Sequence, residues 1–404
     1  MVLKRFILLF GTGSLMVGVL AGCASTYNQP KAPVKAATPL LSVQDDLVRQ
    51  PDATQRLSAV HVTQGRIACF DAGTMNNEAE PLTCEPSAVL FENGQLIVAS
   101  DKKTVGEGLS PVFIVGHEED VPKKREKYVM SSALINARKI EDFSSSSDKK
   151  WSFATSAFDR FREDKAKWDA FNSFVYWRHG HPEEATLANV STREGVPSSL
   201  ELRDSLRNSM KTAEGNDVPY FKVEGLAALP GNRLIFGIRE RGQSFRNFTY
   251  TVTLIEAVYR VIDGQIKINP LMRELYRFQP SEIQDVPPET GLSSLYYDLK
   301  KERLYLLTSY EKDESPSGLG AYLWTLSLQA LYDGSEPYLV TALETNEPLL
   351  FPHKGEALTL IGENLLLVFH DDDRVIRTAE QSREREGAHA RLINEGVWSL
   401  IELK

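Results

Sequence analysis

The sequence predicts an all-β fold, a β-propeller of five to six blades with short helical insertions. Two observations carry that expectation. Short apolar runs such as Gln95–Ser100, Arg233–Gly237, Thr249–Ile255 and Arg303–Thr308 are separated by Gly, Asn, Asp and Pro, the strand-and-turn pattern of all-β folds. A two-strand unit also recurs along the chain. Its clearest copy opens with the acid Glu224 on a short apolar strand, turns through polar residues, starts a second strand at Leu234 and reaches a polar residue at Arg239. Glu356 repeats it with Leu366 and Asp371, and Glu141 with Trp151 and Ser156. Glu85 does so with one extra turn residue, giving Leu96 and Asp101. Thr290 opens a degenerate copy that leads to Leu304 and Ser309.

The starts lie between 56 and 83 residues apart. A four-stranded blade takes about 40–50 residues, so each interval fits one blade with insertions. Units of this kind cannot bury both faces alone, and radial stacking solves that problem. The final strand, Gly396–Leu403, is expected to pair near His61–Cys69 and close the ring. A pair of β-sandwiches is the competing architecture. Two helices are expected between blades. One runs from Ser198 to Met210, opening on the capping box Ser198-x-x-Glu201 with Leu202, Leu206 and Met210 as an apolar stripe. The other, from Phe158 to about Phe174, sets Phe and Trp at helical spacings. The Arg- and Glu-rich stretch from Arg374 to Arg391 reads as an exposed loop or helix.

The chain begins with a short positive segment, Lys4-Arg5, then an apolar stretch from Phe6 to Leu20, then Leu20-Ala21-Gly22-Cys23. That order marks a secretory signal, and the apolar stretch falls short of the about 20 residues a spanning helix needs. The Leu-Ala-Gly-Cys box resembles the bacterial lipobox. The resemblance implies removal of residues 1–22 and a diacylglycerol thioether on Cys23, making the chain a lipoprotein of the cell envelope. Ala24 in place of Asp points to the outer membrane. Residues 23–42, rich in Pro, Ala and Lys, read as a flexible tether, and 43–404 as the propeller domain. The expected membrane contact is the lipid anchor, because no later segment is long and apolar enough to span.

Besides Cys23 the chain has Cys69 and Cys84, 15 positions apart. In an exported protein this even remainder reads as a disulfide, with two free buried thiols as the alternative. The net charge is −9, and no basic face suggests nucleic acid as a partner. The sequence lacks a Gly-x-Ser-x-Gly elbow, a Gly-x-x-x-x-Gly-Lys phosphate loop and a Cys-x-x-Cys pair.

First strands of blades line the central channel. The repeat therefore predicts a ring of Glu85, Glu141, Glu224 and Glu356, and a second ring of Asp101, Ser156, Arg239, Ser309 and Asp371. Carboxylates held together need a cation, a basic partner or raised pKa values. An oxygen-rich cluster suits calcium, and Arg239 could hold a phosphate bidentately. The competing reading is structural: repeated acids that accept backbone N–H groups from the next blade. His370-Asp371-Asp372-Asp373 places three acids at a strand end, either in a metal site or in a solvated turn. His179-Gly-His181 with Glu183 and Glu184 lacks an identifiable third ligand and reads as an ordinary loop.

Val223-Glu-Gly-Leu-Ala227 with Leu234–Arg239, and Gly355-Glu-Ala-Leu358 with Leu366–Asp371, resemble the esterase-like phytase propellers and a related uncharacterised bacterial propeller family. The copies at Glu85, Glu141 and Thr290 depart from that pattern. The resemblance implies a propeller and, as one reading, a calcium-dependent phosphoesterase. The favoured reading is a lipid-anchored envelope protein that binds an envelope protein or a small-molecule ligand.

Overall fold

A computed structural model describes residues 56–404 apart from 77, 105, 119–120, 211–216, 284–285, 314 and 374–390. The signal segment, Cys23 and the tether lie outside the described residues. So does most of the Arg- and Glu-rich stretch.

Five antiparallel sheets form a five-bladed propeller, and no sixth blade is present among the described residues. Blade 1 spans Pro86–Tyr128 and blade 2 Ile140–Leu187. Blade 3 spans Tyr220–Phe278 and blade 4 Gly291–Phe351. Blade 5 combines three strands from Gly355–Leu403 with the N-terminal strand Ser58–Ala68. That strand pairs antiparallel with Glu395–Leu403, Ala59 opposite Leu403 and Ala68 opposite Glu395, as expected for closure of the ring. The disulfide Cys69–Cys84 ties the end of the closing strand to the start of blade 1, with Cα atoms 5.6 Å apart.

The apolar residues of the strands gather into five clusters, one at each seam between blades. Phe153, Phe174 and Phe236 meet between blades 2 and 3, and Phe113 packs with Phe369 and Trp398 between blades 5 and 1. Burial at the seams is what makes stacked units stable where single ones would not be. Gly225 follows Glu224 because a Cβ there would lie 2.7 Å from Leu295 Cγ of the next blade.

The helical insertions differ from expectation. The helix in the blade 2–blade 3 connection runs Leu200–Ser209 with Ser199 at its N-cap position and no side-chain capping bond. The Ser199 hydroxyl is engaged elsewhere, donating to Ala188 O at 2.6 Å. Of the helix expected over 158–174, only a 3-10 turn, Ala166–Phe171, exists. Its aromatic residues are held by cations instead: Arg160 lies over Phe171 at 4.4 Å and Lys165 over Trp168 at 4.9 Å. Arg391, the described end of the stretch expected to be solvated, is buried and donates to Cys84 O at 3.0 Å.

Candidate functional site

The first strand of every blade carries a β-bulge near its start. Pairing skips one residue between Pro86 and Ala88, Ile140 and Asp142, Val223 and Gly225, Leu292 and Ser294, and Gly355 and Ala357. The skipped residues are Ser87, Glu141, Glu224, Ser293 and Glu356. A bulge bends its strand and re-aims the extra side chain, and here the re-aimed positions face the channel. Glu141, Glu224 and Glu356 are therefore equivalent, as expected. Glu85 is not, since it stands two residues before the bulge and Ser87 occupies the ring position. The residues matching Glu85 are Lys139, Lys222, Gly291 and Lys354. Three blades thus present Lys-x-Glu, a pattern that acid-by-acid alignment of the repeat missed. In the second ring Asp101, Ser309 and Asp371 pair with Glu85, Gly291 and Lys354 as expected. In blade 3 Glu240 pairs with Lys222, and Arg239 is the extra residue of a bulge beside it. The blade 2 member is Ala157, which pairs its N–H with Lys139 O at 3.0 Å, rather than Ser156.

Most of these side chains line a cavity of about 420 Å³ at the channel mouth, whose wall carries ten carboxylates and six cations. The ion pairs follow the Lys-x-Glu pattern. Lys222 Nζ contacts Glu224 directly and reaches Glu141 Oε1 at 3.5 Å. Lys139 lies 3.3 Å from Glu141. Lys354 serves Glu356 at 2.7 Å, Glu311 at 3.4 Å and Asp371 at 3.8 Å. Lys102 takes Glu85 at 2.6 Å. The acids outnumber their partners, and the excess shows in protonation. Burial, then the neighbouring Glu224, pushes Glu141 up to about 8. Burial and Asp101 push Glu85 to about 8. Burial also raises Glu356 and, with Asp373 beside it, Asp371. Glu224 goes the other way: burial opposes its ionisation, but Lys222 and Arg239 hold it below the usual carboxylate range. Its Oε2 atom, fully buried, has no hydrogen-bond partner.

Arg239 is committed to the next blade. It donates to Leu292 O at 2.9 Å, Ser293 Oγ at 2.9 Å and Ser309 Oγ at 3.1 Å, and it lies over Tyr250 at 5.4 Å. Blade 4 has lost the ring acid, and Arg239 fills its place. Asp371 and Asp373 each bring an oxygen within 4.8 Å of Glu85, an oxygen-rich set of the kind calcium takes. Lys102 and Lys354 approach the same carboxylates. Asp372 does not join them. It accepts from His353 Nδ1 at 2.6 Å. His179 packs instead against Glu92 Oε2 at 3.0 Å, while His181 pairs with Glu183 on the surface.

The structural acceptor role expected for the glutamates belongs to other residues. Asp142, buried beside Glu141, accepts from Leu226 N at 2.7 Å on blade 3. From blade 4 it accepts Leu295 N at 3.0 Å and Ser294 Oγ at 3.1 Å. Ser144 and Ser294 accept Ala228 N and Leu358 N in the same manner.

The cavity has an aromatic side. The second and third strands of blade 3, Arg233–Ser244 and Asn247–Ile262, turn at Phe245-Arg246, with Tyr220 of the first strand paired opposite Gly242. Phe245, Phe248, Tyr250 and Tyr220 border the mouth. Phe248 sits between Tyr220 at 5.8 Å and Tyr250 at 5.1 Å, and Phe245 is 65% exposed.

No family model and no curated protein sequence matches the chain. Solved structures align with it at low similarity. It is similar to an exo-β-1,3-galactanase from Clostridium thermocellum, with 11% identity and a TM-score of 0.42, over 82% of this chain and 61% of that one. It is also similar to a GH43 β-1,3-galactosidase, with 8% identity and a TM-score of 0.35, over 80% and 92% of the two chains. A gluconolactonase-like protein aligns at 11% identity and a TM-score of 0.33, over 88% and 97%. The likeness is one of fold alone.

Proposed function

We propose that this protein is a lipid-anchored envelope propeller that binds a small polar ligand at the mouth of its channel. One observation carries the reading: three Lys-x-Glu pairs on equivalent bulged strands converge on a cavity of about 420 Å³, within the range of small-molecule sites. Charges buried in a structural role are paired and hydrogen-bonded. Those at this mouth are left with surplus carboxylate, the condition of a site whose charges are completed by a ligand. The anchor rests on Lys4-Arg5 and Leu20–Cys23. Labelled palmitate should enter the wild-type protein and not Cys23→Ser, with the variant released from membranes. Labelling of both would overturn the anchor. For the site, a thermal melt of the full-length protein against small polar compounds should find stabilisers, and Glu224→Gln should weaken their effect. Equal response of wild type and variant would remove the site from this cavity.

The second reading, calcium-dependent phosphoester hydrolysis, has the Glu85, Asp371 and Asp373 cluster in its favour. Against it stands Arg239, whose donors are engaged by blade 4. Calcium-dependent phosphate release from aryl phosphates or phytate would support it, and release unaffected by chelator would not.

A further inference from the structure

The ligand's charge can be read from what the cavity lacks. The basic groups at the mouth already have partners. Lys222 lies between Glu141 and Glu224, Lys354 among three acids, and Lys102 on Glu85. The Arg239 guanidinium faces carbonyl and hydroxyl oxygens of blade 4. The cationic donors are therefore committed, while Glu224 stands ionised beside Lys222 with one oxygen left over. Oε2 of Glu224, on a residue only 1% exposed, lines the cavity with no hydrogen-bond partner, and Oδ1 of Asp101 is likewise unmatched. A buried acceptor left unmatched is costly, and a donor supplied by a ligand relieves that cost. An anion would lie against the ionised Glu224 and offer it no donor.

The aromatic border points the same way from separate residues. Ring faces attract cations through their quadrupole. Two of the rings at this mouth already carry guanidinium groups of the chain itself: Arg239 over Tyr250, and Arg246 over Phe245 at 5.1 Å. Arg246 and Phe245 are both exposed at the hairpin tip, where an incoming group can take the place of the arginine.

We infer that the ligand is an organic ammonium compound, whose N–H groups meet Glu224 and whose carbon body lies against Phe245 and Phe248. The inference rests on the small-ligand reading of this cavity and adds the ligand's chemical class.

The test is isothermal titration of the full-length protein in detergent with probes that share one ring and differ in the polar group. These are benzylamine, benzyl alcohol and phenyl phosphate, with cyclohexylmethylamine as a second ammonium. Benzylamine should bind at least about tenfold more tightly than benzyl alcohol, the factor of a single charge-assisted bond of roughly 1.4 kcal/mol. Phenyl phosphate should not bind. Glu224→Gln should lose about that tenfold, and Phe245→Ala should weaken both cations while leaving the melting temperature unchanged. If benzyl alcohol or phenyl phosphate binds as well as the amine and Glu224→Gln removes that binding, the ammonium assignment is wrong and the cavity is still a ligand site. If no probe binds, the ammonium assignment fails, and the wider compound screen decides the site separately.

Discussion

Glu141 and Asp142 are adjacent acids on one strand, and they do different work. Asp142 is surrounded by donors from two other blades, and each of its oxygens is used. Glu141 faces the cavity with Lys139, Lys222 and Glu224 as ionic neighbours. Burial raises both acids, Glu141 to about 8, so what separates them is the supply of donors. The same division holds between the buried blade-to-blade acceptors, here called the floor, and the cavity-lining residues, here called the rim. At the floor, Asp142, Ser144 and Ser294 join blade to blade through backbone N–H groups. At the rim, Lys-x-Glu pairs leave carboxylate unmatched. An acid that serves the fold is recognised by its donors, and one available to a ligand by their shortage.

That contrast can be broken most severely at the floor. Asp142→Asn would turn an acceptor oxygen into an N–H group facing backbone N–H donors. It should destabilise the protein by about 3 kcal/mol, the cost of leaving buried polar groups unmatched. Chemical denaturation would measure it, and a loss below about 1 kcal/mol would put Asp142 on a par with surface residues. The next effect belongs to the ring closure. Replacing Cys69 and Cys84 by Ala opens a loop with a separation of 15 residues, which should cost roughly 3 kcal/mol in the chain-entropy model. The loss should disappear when wild type is compared with the variant under reducing conditions.

The rim should appear in pH dependence. Glu85 and Glu141 have folded-state values near 8 against an ordinary 4.5. Between those values the folded chain binds more protons than the unfolded one. Stability contributed by these groups is therefore full at low pH and declines as pH rises from about 4.5 to 8, with no further loss from them above that. Glu224, held low by Lys222, contributes in the opposite sense and loses its share as pH falls below the ordinary carboxylate range. The melting temperature should fall across the neutral range, and Glu141→Gln should flatten the slope. A slope unchanged in that variant would mean that Glu141 is not the protonated member of the pair.

Much of the fold was legible because its signal is local. The first strand, turn and second strand of each blade repeat in sequence at Glu141, Glu224 and Glu356, and the apolar closing strand stands at the C-terminus. The register of the ring was less legible. Glu85 matches the other acids in type, and only the bulge shows that Ser87 holds the equivalent position. Lys139, Lys222 and Lys354 were the available signal, since each precedes its glutamate by two residues. Asp142 was hidden by its neighbour, because sequence does not tell which of two adjacent acids faces the channel. The aromatic residues of 158–174 have helical spacing, yet Arg160 and Lys165 draw them into an irregular loop. The hairpin that carries Phe245 and Phe248 gave no sequence sign of bordering the mouth, because how far paired strands run is set by their pairing.

The most direct measurement is a side-by-side melt of wild type, Asp142→Asn and Glu224→Gln, each with and without benzylamine. Asp142→Asn should melt well below wild type and still be stabilised by the amine. Glu224→Gln should lose less stability than Asp142→Asn, since Lys222 keeps Glu141 as a neighbour, and should need about tenfold more amine for the same response. A Glu224→Gln protein as unstable as Asp142→Asn, or one that responds to the amine at the same concentration as wild type, would contradict the division between rim and floor.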